Sequence, residues 1–156
     1  DKQQSASRLA AQGHELLTLK RAKEALAIFD QAVAVDTNNV RALQGKGLAH
    51  TELGQMRDAL QSYQRALKLS PDNVSLLNNM AFAHILLGEY DEAITRLKPL
   101  TSKEPVHAKL LENIALAYCL KGDEAEARKL YKRRLTPAQL EDNIQFCKRF
   151  EKLRKQ

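Results

Sequence analysis

A periodicity of 34 residues constrains this chain more than any other feature. Stepping by 34, Gly54 is succeeded by Gly88 and Gly122, each followed by a short polar turn. Ala25, Ala59, Ala93 and Ala127 form a second column, and Phe29, Tyr63, Leu97 and Tyr131 a third. Pro71 is followed by Pro105. Several columns agreeing over four copies mark an internal repeat, and a repeat of this length is one supersecondary unit that cannot bury its apolar face alone. The central copy, Val40 to Asn73, reads as two amphipathic helices broken between Gly54 and Gln55. Glycine there supplies the left-handed backbone that ends the first helix of a pair. Ser70-Pro71-Asp72 and Glu104-Pro105 are expected to end second helices, because proline cannot continue one and restricts its predecessor.

The repeats fall at about 5–38, 39–72, 73–105 and 106–135, within a single domain over 1–156. Residues 1–4 are polar and expected to fray. The first turn, Lys20-Arg21, has no glycine and should be less regular than its successors. Pro99 sits inside the second helix of the third copy and should kink it or end it early. Small residues at Gly13, Gly47, Ala81 and Ala115, and in the alanine column, allow close helix approach while Leu, Phe and Tyr fill the gaps. Stacked hairpins would then share one core, with a concave and a convex side. Thr136-Pro137-Ala138-Gln139 has the signature of a helix start, with Thr as N-cap, Pro at the first position and Gln reaching back. It opens a capping helix over about 137–154, with Leu140, Ile144 and Cys147 on one stripe and Phe146, Phe150 and Leu153 on an adjoining one. LEDNIQF echoes LENIALA but arrives four residues early, so the second helix of the fourth copy should be short.

The central copy resembles the tetratricopeptide repeat (TPR) family through Gly47, Gly54, Ala59, Tyr63, Ala66 and Pro71. The resemblance implies an all-α, right-handed solenoid of four helix-turn-helix repeats plus a capping helix, about nine helices in all.

Composition narrows the function classes. No run of about 18 apolar residues exists, so no transmembrane helix is expected. The chain begins at Asp1 with no visible signal peptide, which reads as a trimmed or processed product. The net charge of +6 is concentrated at the C-terminal end, since residues 121–156 hold 11 Lys/Arg against 6 Asp/Glu. That basic end is either a solvated helix surface or a contact for an acidic partner, anionic headgroups or nucleic acid. Trp is absent and no aromatic-plus-basic ladder appears, which argues against nucleic acid. Cys119 and Cys147 lie outside any CxxC or zinc spacing. Two buried free thiols are the expectation; a disulfide requires the last helix to pack on the helix carrying Cys119.

Four scattered histidines supply no set of convergent ligands, so no metal site is expected. His50 and His84 share a repeat column and should pack against a neighbouring helix; His14 and His107 show no carboxylate or thiol partner. No phosphate loop, nucleophile elbow or paired catalytic carboxylates appear. The reading is a non-catalytic chain without a cofactor.

Binding residues are expected on the concave face, lined by the first helix of each pair. One column reads Ala11, Gly45, Asn79, Asn113, with Asn143 as its continuation in the last helix; a neighbouring column reads His14, Leu48, Phe82, Leu116. In TPR proteins that hold extended peptides, asparagines at this place bond the ligand backbone. A carboxamide suits this, having both donor and acceptor. Leu48, Phe82 and Leu116 would supply apolar pockets, with Asn78, Arg41, Gln44 and Lys109 as adjacent polar contacts. Ala11 and Gly45 break the ladder, so grip should concentrate in the C-terminal half. The alternative is that Asn79 and Asn113 satisfy local backbone groups.

A finer resemblance rests on AITRLKPLTSKEP, LLENIALAYCLKGDEAEARKLYKRRL and RRLTPAQLEDNIQFCKRFEKL. These are similar to the TadD-like TPR lipoproteins of tight-adherence (Tad/Flp) pilus assembly. That resemblance implies a periplasmic, outer-membrane-anchored pilotin whose partner is the pilus secretin, reaching the membrane through a lipid anchor on a segment preceding Asp1. A generic TPR adaptor or co-chaperone holding a peptide segment, and the TPR portion of a larger enzyme, remain as alternatives.

Overall fold

The computed structural model describes residues 1–156 and is all helical. In chain order the elements are α1 (Lys2–Thr18), α2 (Ala22–Val35), α3 (Val40–Glu52), α4 (Met56–Leu69), α5 (Val74–Leu86), α6 (Tyr90–Leu97), a 3-10 turn (Lys98–Leu100), α7 (Ala108–Lys121), α8 (Glu124–Tyr131) and α9 (Pro137–Arg154). Nine α-helices packed as consecutive pairs agree with the repeat reading. The chain forms two compact units, Asp1–Ala83 and His84–Gln156, with the boundary inside α5.

The four helix-to-helix turns repeat one backbone motif at one spacing. Gly54, Gly88 and Gly122 all have positive φ (76°, 76° and 99°), and Lys20 takes the same position at φ 60°. In each turn the following N–H donates to the carbonyl five residues back: Arg21 to Leu16, Gln55 to His50, Glu89 to His84 and Asp123 to Tyr118. These bonds satisfy carbonyls that a helix end leaves orphaned. The first turn is therefore as regular as the others, contrary to the sequence expectation. Its cost is a β-carbon held in the left-handed region, which crowds the following carbonyl. Lys20→Gly is expected to raise the stability of the first unit by about 0.5–1 kcal/mol, read as a higher urea midpoint at unchanged slope.

The N-terminus also departs from expectation. Helix α1 starts at Lys2, because the Asp1 carboxylate accepts from the Gln3 N–H at 3.0 Å and caps it. In the third copy, α6 ends at Leu97 and the chain tightens into a 3-10 turn carrying Pro99. Pro99, and not Pro105, thus ends that helix. Pro105 lies in the following loop and is preceded by a cis peptide bond. Helix α8 is short, at 8 residues. Helix α9 opens with a capping box in which Thr136 Oγ1 accepts from the Gln139 N–H and the Thr136 N–H donates to Gln139 Oε1.

The first unit is built on two aromatic side chains seated against glycines. Phe29 is fully buried, and its ring occupies the space that a β-carbon would need at both Gly13 and Gly45. Tyr63 does the same at Gly47. The Tyr63 hydroxyl lies 3.2 Å from Thr51 Oγ1, which donates to the Gly47 carbonyl. Burial pushes the Tyr63 phenol up to about 12. Leu17, Ala25 and Ala49 close the packing around Phe29.

In the second unit α9 packs against α7 and α8. Leu140, Ile144 and Cys147 are its buried residues. Cys119 on α7 and Cys147 on α9 are joined by a disulfide, with a Cα–Cα distance of 5.8 Å. This overturns the expectation of two free thiols: α9 lies on the helix that carries Cys119, the arrangement a bridge requires. Around it, Arg128 donates to Glu124 and Glu141, and Lys148 lies 3.1 Å from Glu124. Arg128 and then Lys148 hold the Glu124 carboxyl below its usual range.

Candidate functional site

In the first unit, the expected binding face lies on α1, α3 and α5. His14 is half-buried, edge-on to Phe29 with ring centroids 5.1 Å apart. Its Nε2 donates to the Arg41 carbonyl at 3.3 Å, joining α1 to α3. Loss of hydration, aided by the nearby Arg41 charge, lowers the His14 imidazole pKa below its usual value. His14 thus has a partner that its sequence neighbours do not disclose, a main-chain carbonyl of the next repeat. Gln44 donates to Ser75 Oγ at 2.8 Å, joining α3 to α5. The row His14–Arg41 and Gln44–Ser75 ties successive first helices together by polar contacts at their surface.

The sequence-derived candidates occupy unequal positions on this face. The Arg41 side chain is exposed, Asn78 and Asn79 are half-buried, and Phe82 is 37% exposed. Leu48 is half-buried and packs partly against the Phe29 cluster, so only part of it faces outward. Gly45 is not an open groove position. Phe29 fills the space its side chain would occupy, so no asparagine fits there. The ladder breaks in the second repeat for reasons of packing.

In the second unit the candidates lie on α7 and α9. Lys109 is exposed, and Asn113 and Leu116 are half-buried. Asn143 is half-buried, and its carbonyl lies 3.7 Å from Cys119 Sγ, which places it beside α7. Within this unit the helices that carry Asn113 and Asn143 are in contact.

Phe146, which the sequence places on a stripe of the last helix, shares the spacing of these candidates. It follows Asn143 by three residues, as Leu116 follows Asn113 and Phe82 follows Asn79. It is 51% exposed. The three-residue offset was the available signal.

The remaining histidines bind no common centre. His50 Nδ1 lies 2.7 Å from Gln55 Oε1, and His84 Nδ1 2.7 Å from Glu89 Oε2, the same contact one repeat apart. Both bridge the turn that follows them, besides packing inward. No group of three or more potential metal ligands is present, and no helix is long and apolar enough to cross a membrane.

Comparison with known proteins agrees with this architecture. The chain is similar to MamA (24% identity, TM-score 0.72, covering 81% of this chain and 69% of that one). It is similar to PilF of Pseudomonas aeruginosa (19% identity, TM-score 0.77), covering 85% of this chain and 60% of PilF. It is also similar to YrrB, described as a TPR protein with an unusual peptide-binding site (16% identity, TM-score 0.72, covering 92% and 76%). At these identities the shared property is the fold. No curated protein matches significantly. Two tetratricopeptide repeat profiles match residues 10–74 and 50–114, together about two thirds of the chain. The columns of small residues, the four turns built on one backbone motif and these matches converge: the chain belongs to the tetratricopeptide repeat family, a protein–protein interaction scaffold.

Proposed function

We propose that the protein is a non-catalytic assembly factor of the TadD-like kind, a periplasmic, outer-membrane-anchored pilotin that binds a segment of its pilus secretin. The observation that carries the binding mode is the pairing of carboxamide with apolar residue at a fixed offset on first helices: Asn79 with Phe82, and Asn113 with Leu116. All four side chains retain solvent exposure. Within each unit the carboxamide would bond the main chain of an extended or helical segment without reading its side chains. The apolar partners, with Asn143 and Phe146 in the last helix, would supply affinity. The resemblance of three phrases between Ala93 and Leu153 to TadD-like proteins supports the finer assignment. The description of YrrB supports peptide binding as a property this fold can carry.

The test is binding of a labelled peptide from the secretin's terminal tail. Asn79→Ala combined with Asn113→Ala should weaken it at least about tenfold, about 1.4 kcal/mol, with an unchanged helical spectrum and melting temperature. Unchanged affinity in a folded double variant would remove the asparagines from the binding site. Absence of binding by the wild type, with other peptides still captured, would favour the generic adaptor reading.

A further inference from the structure

The outer face of α9 is left over by the fold, and of its apolar stripe only Phe146 enters the proposed binding set. By helical periodicity Phe146, Phe150 and Leu153 share one stripe, at i, i+4 and i+7. They are 51%, 39% and 70% exposed. The two phenyl rings stack on each other along the helix, centroids 6.5 Å apart and planes 25° apart. They form a ridge. Between Lys148 and Lys155 the helix carries five cations (Lys148, Arg149, Lys152, Arg154 and Lys155) against one acid, Glu151. Lys148 and Lys155 are spent on Glu124 and Glu151. Arg149 and Lys152 are exposed, form no ion pair, and flank the stripe on one side; Arg154 flanks it on the other. In the last two turns every residue except Glu151 is exposed, so these turns stand clear of the packed part of α9.

We infer that this ridge is a docking surface for an anionic phospholipid membrane, on which the C-terminal half of α9 lies in the plane of the headgroups. A basic helix with aromatic and aliphatic residues on one stripe buries that stripe at the headgroup boundary while its cations meet lipid phosphates. A ridge suits a deformable surface. A protein partner would more readily be anchored by a pocket, where hot-spot residues become fully desolvated. The long Arg149, Lys152 and Arg154 side chains can reach phosphates on either side while their stems cover apolar surface. Asp142 stands at the N-terminal end of the same stripe and opposes an anionic surface, which limits the contact to the segment from Phe146 onward. The inference shares Phe146 with the peptide-binding reading, but it uses no residue of the first unit and neither Asn113 nor Leu116. Phe150, Leu153, Arg149 and Lys152 belong to it alone, so loss of vesicle binding and loss of peptide binding are distinguishable.

Co-sedimentation of the full oxidised chain with vesicles tests it. Vesicles of phosphatidylglycerol mixed with phosphatidylcholine should bind the protein at low salt, phosphatidylcholine alone should bind it at least about tenfold more weakly, and high salt should abolish the difference. Arg149→Gln with Lys152→Gln should lower binding by about tenfold or more, and Phe146→Ser with Phe150→Ser should lower it comparably. All four positions are exposed, so melting temperatures should hold, and Asn79→Ala with Asn113→Ala should bind vesicles like wild type. Equal binding to both vesicle types, no binding to either, or anionic binding that survives both sets of α9 substitutions would each overturn the inference. Capture of an acidic amphipathic peptide by a chain that ignores vesicles would assign the ridge to a protein partner instead.

Discussion

Phe29→Ala should destabilise the first unit by about 3–5 kcal/mol, the range for a fully buried phenylalanine emptied to alanine. The loss exceeds the transfer energy of the ring because its surroundings cannot close up. Phe29 is wedged between α1 and α3, and its ring fills the places where Gly13 and Gly45 have no side chain. Removing it leaves two backbone surfaces facing a void. The same geometry predicts a change of sign at Gly45. In the wild type Gly45→Ala should destabilise by about 1–3 kcal/mol, because the ring has Gly13 behind it and nowhere to retreat. In the Phe29→Ala background the new methyl enters the vacated volume and alanine is the better helix former by about 1 kcal/mol, so Gly45→Ala should become stabilising. Urea unfolding of the four proteins, followed by far-ultraviolet circular dichroism, measures the cycle. Additive effects would show that ring and glycine are not in contact.

Reduction of the Cys119–Cys147 disulfide should cost about 3–4 kcal/mol in the second unit, from the chain entropy of a loop closed over a sequence separation of 28. Helix α9 is otherwise held by a small apolar contact, Leu140 and Ile144, and by ion pairs of Arg128 and Lys148 at the surface. Exposed ion pairs contribute little, so the covalent link dominates the anchoring of this helix. Cys119→Ser with Cys147→Ser should reproduce the effect of dithiothreitol, and amide exchange should accelerate first in α9. Thiol titration of the unfolded chain should find no free cysteine before reduction and two after. Coincident unfolding curves for oxidised and reduced protein would leave α9 held by packing alone.

The candidate site was legible in part. The columns Asn79/Asn113 and Phe82/Leu116 follow from counting in steps of 34, and Asn143 from an echoed phrase. Gly45 was visible only as a missing asparagine. That a ring from another helix forbids a side chain there is a fact of three helices meeting. His14 showed no partner because its acceptor is a main-chain carbonyl 27 residues on, and carbonyls carry no sequence signature. Phe146 was placed on a stripe of the last helix, but its exposure depended on how much of α9 is covered by α7 and α8.

What the sequence determined alone was local and periodic: the helix pairs, the turns at every thirty-fourth residue, the early stop at Pro99, the short α8 and the start of α9. Each depends on backbone preferences that act within a few residues, such as proline lacking an N–H and glycine tolerating positive φ. Tertiary structure decided the rest. Lys20 adopts the glycine conformation because the hairpin on both sides of it demands that turn, overriding a local penalty of about 1 kcal/mol. The cysteines pair because α9 settles on α7, and the aromatic ridge stays bare because that same docking uses the opposite side of the helix. Packing chooses among conformations that local chemistry leaves close in energy, and it does so through neighbours tens of residues away.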